Sequence, residues 1–267
     1  MAHWFEGTVH ANGIAIHYTR TGGGKPPVVL SHGLTDNGAC WTRLARALER
    51  DYDVIMPDAR GHGQSEAPEQ GYRTEDRAAD LIGLIEQLHL DRLALIGHSM
   101  GGESSAMAAA HVPHLVRAVI LEDPAFSSGQ ISDQNVGVEW AKRLKEEQAM
   151  ALEDLASYGR ITRSTWTPDT FEFWAQAKHE VNLKVFHWFD EPPRTPWQEF
   201  VRQITTPTLL ITGEPARGAI ITEAMAQEFV ELCPQAKVAR IPDAGHCVRY
   251  EQPDAYLDIV TGFLREG

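Results

Sequence analysis

Leu93-Ala94-Leu95-Ile96-Gly97-His98-Ser99-Met100-Gly101-Gly102 joins a short apolar run of strand formers to a serine flanked by glycines. Ala106-Met107-Ala108-Ala109-Ala110 follows as strong helix material. A G-x-S-x-G that closes a strand and opens a helix is a sharp turn that lifts the serine oxygen above the end of a sheet. Gly97 and Gly101 lack a Cβ, so strand and helix can approach closely around a strained Ser99. The helix N-terminus adds a positive dipole end beside any oxyanion formed there. A surface Gly/Ser turn is the bland alternative for such a pentapeptide. The strand before it and the helix after it argue against that alternative.

Outward from this turn, short strands alternate with helices. Thr8 to Tyr18 reads as a hairpin, with Asn12-Gly13 supplying its positive φ angles. Strands follow at Pro27–Leu30, Asp53–Asp58, Ala118–Leu121, Pro207–Thr212 and Lys237–Ile241. Helical spacing covers Trp41–Arg50, Thr74–Leu90, Thr222–Leu232 and Ala255–Leu264. The expected fold class is α/β, a mostly parallel eight-stranded sheet with helices on both faces.

Between Pro124 and Pro207 the alternation stops. Val138–Met150 and Thr170–His179 read as helices, with breaks at Tyr158-Gly159, Thr167-Pro168, Pro192-Pro193 and Pro196. This predicts a helical cap over residues 126–203, inserted into a core of residues 1–125 and 204–267. Five of the seven tryptophans, Trp140, Trp166, Trp174, Trp188 and Trp197, fall in the insert. They either roof a substrate pocket or glue the insert to the core.

A serine hydroxyl is a poor nucleophile until a base takes its proton, and that base needs an acid to fix its tautomer. Among twelve histidines, His246 stands in the expected context, after the late strand and turn Ile241-Pro242-Asp243-Ala244-Gly245. His98, inside the turn, reads as structural. Two backbone N–H groups should hold the oxyanion: that of Met100, directly after the serine, and that of Leu34 in His32-Gly33-Leu34.

Ser31-His32-Gly33, Asp58-Ala59-Arg60-Gly61-His62-Gly63-Gln64-Ser65, Gly97 to Gly102 and Ala244-Gly245-His246 together resemble the α/β-hydrolase fold superfamily over essentially the whole chain. In that family the Asp58–Ser65 segment is mainly a structural turn, so Arg60 and His62 receive no catalytic role. Ser99 argues against the dehalogenases and epoxide hydrolases of this fold, which carry aspartate there. The resemblance implies a cofactor-independent serine hydrolase that cleaves a carboxylic ester or lactone through an acyl-enzyme. Lactonases of the acyl-homoserine or zearalenone type, carbon–carbon bond hydrolases and perhydrolases are alternatives, as is a non-catalytic small-ligand receptor.

The commonest members carry the triad acid after the seventh strand, but here Gly213-Glu214-Pro215-Ala216 puts alanine at that position. The candidates are Asp123 and Glu122, after the sixth strand, and Glu214. Strand alternation points Glu122 and Asp123 to different sides. Asp123 falls where zearalenone-type lactonases carry their acid, counted from Arg117.

Bulk composition sets outer limits. The 267 residues are 43% hydrophobic and 23% charged, ordinary globular values, with a net charge of −13. That balance disfavours nucleic acid and anionic lipid as partners; the resemblance implies a small apolar ester or lactone as the partner. Neither a signal peptide nor a spanning helix is visible, and Cys40, Cys233 and Cys247 suggest no disulfide framework or metal site. Together these predict a cytoplasmic protein; the oligomeric state is left open.

Overall fold

The computed structural model describes residues 4–126, 135–191 and 195–266. Eight strands form one sheet: β1 (Phe5–Ala11), β2 (Ile14–Arg20), β3 (Pro27–Ser31), β4 (Asp53–Pro57), β5 (Leu93–His98), β6 (Val116–Glu122), β7 (Thr208–Thr212) and β8 (Ala236–Arg240). Their spatial order is β1-β2-β4-β3-β5-β6-β7-β8. The β1–β2 and β2–β4 pairs are antiparallel, and all later pairs are parallel. Asn12 and Gly13 close the β1–β2 hairpin at φ 47° and 79°, the left-handed pair a two-residue turn requires.

The helices are α1 (Thr42–Leu48), α2 (Thr74–Gln87), α3 (Met100–His111), α4 (Asn135–Gln148), α5 (Leu152–Thr162), α6 (Phe171–His179), α7 (Trp197–Val201), α8 (Glu223–Leu232), α9 (Val248–Glu251) and α10 (Pro253–Glu266). Strand periodicity sorts them onto two faces. Val29, Leu95, Val119, Leu121 and Leu210 pack with α2, α3 and α8 on one side. Their strand neighbours Val28, Leu30, Ala94, Ile96, Ile120 and Ile211 pack with α1 and α10 on the other. Every residue of β5 is buried, as a strand covered on both faces must be.

Helices α4 to α7 lie in the chain between β6 and β7. The sequence reading placed a break at Tyr158-Gly159, but both residues lie inside α5. A Cβ at Gly159 would stand 2.7 Å from Phe171 Cδ1 and 2.9 Å from Trp174 Cζ3. The glycine is there to let α5 and α6 meet, not to end a helix. Pro196 precedes α7 as its N-cap, whereas Pro192-Pro193 lie outside the described residues.

The parallel strands β3, β5, β6 and β7 all end on one edge of the sheet. Their last residues are Ser31, His98, Glu122 and Thr212. Those strand ends and the segments leaving them carry every candidate site residue except His246, which follows β8. This is the edge where open α/β sheets bind ligands.

Candidate active site

Ser99 sits at φ 51°, ψ −116°, immediately before the first residue of α3. A non-glycine residue rarely adopts this backbone, and here neighbouring contacts impose it. Ser99 N–H donates to Glu122 O at 2.9 Å, while Ser99 O accepts from Glu103 N and Ala125 N, both at 3.0 Å. A Cβ at Gly97 would meet Gly101 O at 2.3 Å, and one at Gly101 would meet Ser31 O at 2.3 Å. Both glycines are therefore steric necessities of the turn.

His246 Nδ1 meets Asp123 Oδ2 at 2.6 Å. Asp123 is wholly buried and held at φ 38°. Thr212 Oγ1–H donates to its Oδ1 at 2.7 Å, Ile220 N–H to Oδ2 at 2.7 Å, and Ile221 N–H to Oδ1 at 3.1 Å. With His246 these fill the four acceptor positions of an ionised carboxylate, and two of the donors are amides that cannot accept. The His246 contact is then Nδ1–H to carboxylate. In a neutral ring this leaves the Nε2 lone pair free to act as a base.

The other two acid candidates are engaged elsewhere. Glu122 is fully buried, accepting from Arg249 N–H at 2.9 Å and Arg249 Nη1 at 3.1 Å. Glu214 is partly exposed and pairs with Arg217 Nε at 2.9 Å. The loop that lacks the family's usual aspartate instead supplies the Ile220 and Ile221 amides to Asp123.

Ser99 and His246 line one cavity of about 270 Å³. Among the described residues no hydrogen bond joins Ser99 Oγ to the His246 ring, a contact that often tightens only around substrate. Leu34 also lines this cavity. Its carbonyl accepts from His62 Nε2, which secures the loop. Met100 belongs to the same buried cluster as Leu34, Tyr72 and Val185, and its amide opens α3, where no helical partner exists for it. Trp140, Trp166 and Trp174 line the cavity. Trp197 instead stacks on Phe126 at 4.9 Å, and Trp188 lies in the Leu34–Met100 cluster. The insert's tryptophans thus divide between lining and packing.

A model of the alpha/beta hydrolase family matches residues 28–259. The chain belongs to the alpha/beta hydrolase family. It is 28% identical over 262 residues to N-formylmaleamate deformylase of Pseudomonas putida, covering 97% of this chain and 96% of that protein. It is 26% identical over 273 residues to 2-(acetamidomethylene)succinate hydrolase of Mesorhizobium japonicum, covering 98% and 96%. Among solved structures, the enol-lactonase from Burkholderia xenovorans is similar at a TM-score of 0.78 and 25% identity, covering 97% of this chain and 100% of that one.

Within this alpha/beta hydrolase, side chains to which the sequence reading gave no catalytic role support the site. His98 Nε2–H donates to His246 O at 3.0 Å, and the two rings lie 4.7 Å apart. Burial drives the His98 ring well below its ordinary pKa, so it stays neutral and donates from Nε2. Thr212 was read only as a strand residue. Arg249, just past His246, joins Glu122 to Asp36 through Nη2 to Asp36 Oδ2 at 2.8 Å. Burial alone would depress that guanidinium, but Tyr250, Glu122 and Asp36 hold it well above its usual value. No local motif marks Thr212 or Arg249, whose partners Asp123, Glu122 and Asp36 lie 89, 127 and 213 positions away. Cys247 lines the cavity, and burial keeps its thiol far above the ordinary range, so it is no ready nucleophile.

Proposed function

We propose that this chain is a cofactor-independent serine hydrolase acting on a carboxylic ester or lactone through an acyl-enzyme. The observation that carries this reading is the His246 Nδ1–Asp123 Oδ2 contact of 2.6 Å beside the strained Ser99, with both Ser99 and His246 facing one cavity. Ser99 Oγ attacks the carbonyl carbon while His246 Nε2 takes its proton. The Leu34 and Met100 amides hold the tetrahedral oxyanion. His246 returns the proton to the leaving oxygen, and Asp123 stabilises the imidazolium in between. Water, deprotonated by His246, then cleaves the acyl–Ser99 bond, releasing the acid. Residues 126–203 form the cap over this site, and residues 1–125 with 204–267 form the catalytic core.

Amide cleavage is a second reading, favoured by full-length similarity to a deformylase and to 2-(acetamidomethylene)succinate hydrolase. It runs on the same residues, with nitrogen as the leaving atom. Hydrolysis of a 4-nitrophenyl ester by wild type and Ser99→Ala tests the mechanism. Turnover should fall by about 10⁴ or more with the circular dichroism spectrum unchanged. Undiminished turnover by Ser99→Ala would remove the assignment.

A further inference from the structure

We propose that the substrate of this site carries a carboxylate, held by Arg163 with Arg143 on the cavity wall formed by the helical insert. This inference rests on the serine-hydrolase reading and names the substrate class within it. It also departs from the purely apolar substrate expected from sequence. The aromatic lining would cover the substrate's carbon skeleton, while a fixed charge orients it.

The argument is a charge inventory of the cavity lining. Lys178 is already engaged: its Nζ donates to Thr35 O at 2.5 Å and Thr35 Oγ1 at 2.6 Å, with Asp36 Oδ1 3.6 Å away. Asp36 in turn receives Arg249. Arg143 and Arg163 remain, and they share a single carboxylate oxygen. Arg143 Nε lies 3.3 Å and Arg163 Nη2 3.7 Å from the same Glu147 Oε1. Good charge-assisted pairs are about 2.7–2.9 Å, so both contacts are loose. Two guanidiniums against one carboxylate leave one positive charge in excess, inside a chain whose net charge is −13.

Arg163 is built to present a flat edge to a ligand. Its side chain is 15% exposed, and its guanidinium carbon lies 4.3 Å from the centroid of the Trp174 ring and 5.4 Å from that of Trp166. Nη1 donates to Thr162 Oγ1 at 3.0 Å, which fixes the fork. A guanidinium packed against indoles and supplied with half a counterion suits bidentate capture of a carboxylate. Burial and the Arg143 charge depress the Arg163 guanidinium below its ordinary value, as expected of a cation short of negative partners. Arg143 and Glu147 both belong to α4, so Arg163 alone would suffice to tie the end of α5 to α4, and the second guanidinium is not needed for that contact. At about 270 Å³ the cavity limits the substrate to a small organic acid ester, lactone or amide.

The test compares mono-4-nitrophenyl succinate with neutral 4-nitrophenyl butyrate, on wild type and on Arg163→Gln. Wild type should favour the anionic ester by at least tenfold in kcat/KM. Arg163→Gln should bring the ratio to within about threefold of unity, chiefly through KM, with Arg163→Lys intermediate. Equal use of both esters by wild type, or an unchanged ratio in Arg163→Gln, overturns the proposal while leaving the serine mechanism standing. Calorimetry on Ser99→Ala reads the same site without turnover and without altering Arg163. Succinate should bind and the isosteric succinamide should not; equal or absent binding of both overturns the anion site. Loss of ester turnover in wild type, with succinate still bound, would instead refute the serine-hydrolase reading alone.

Discussion

Asp123 is a carboxylate removed from water, at a cost of several kcal/mol. Its four donors, each worth about 1.5–3 kcal/mol to a charged acceptor, offset that cost. An asparagine here keeps the shape but aims an NH₂ group at donors that cannot accept from it, and His246 loses its reason to carry a proton on Nδ1. We therefore expect Asp123→Asn to lower kcat by about 10⁴ in an ester assay. Glu214→Gln, on a partly exposed side chain paired only with Arg217, should stay within severalfold of wild type. A larger loss from Glu214→Gln than from Asp123→Asn would invert the assignment. Asp123 stood out in sequence as a candidate because it follows the sixth strand just before Pro124, while Ala216 occupies the family's usual acid position. Thr212, Ile220 and Ile221 were not, because their donors reach Asp123 across about ninety positions of chain.

The unit β5–Ser99–α3 works because strand, turn and helix are each locally favoured and two glycines allow them to touch. The glycine nearest to β3 is the most exacting. Gly101→Ala would place a methyl 2.3 Å from the Ser31 carbonyl, rigid backbone that cannot swing aside. Overpacking of this kind costs about 1–3 kcal/mol, so a lowered urea midpoint together with loss of esterase activity is expected. Wild-type stability and activity in Gly101→Ala would show that the turn is looser than described. The same unit explains why so much of the core was legible. Continuous apolar runs bounded by turns at β3, β5 and β6 leave no other placement in a sheet covered on both faces. Helix α5 was misjudged for the opposite reason. Gly159 looks like a break in isolation and is explained only by Phe171 and Trp174, which pack against it from α6.

Across the molecule, buried ion pairs fasten the sheet to the loops that carry the site. Asp58, just past β4, bonds His17 Nδ1 of β2 at 2.8 Å, Gly38 N at 2.8 Å and Gln64 N at 3.0 Å. The Asp58 hydrogen bond raises the His17 pKa above 6.5. Burial pushes Asp58 upward, but His17 and the two amides bring it below 3.8 on balance. A raised histidine stabilises fully below its unfolded value and loses that contribution as pH climbs through the folded one; a lowered aspartate loses its share as pH falls below 3.8. The stability advantage of wild type over His17→Gln, read from urea midpoints, should therefore be full near pH 6 and shrink toward pH 9. A difference constant across that range would contradict the pairing. At this scale the sheet edge holding the site was foreseeable, whereas the excess charge at Arg143 and Arg163 was not, since it emerges only when α4 and the end of α5 converge on Glu147. The reading as a whole stands on an activated hydroxyl at Ser99. Intact-mass and peptide analysis after treatment with a fluorophosphonate should find one adduct, on Ser99, formed far more slowly in His246→Ala and Asp123→Asn. No adduct, an adduct on another residue, or labelling indifferent to both substitutions would contradict it.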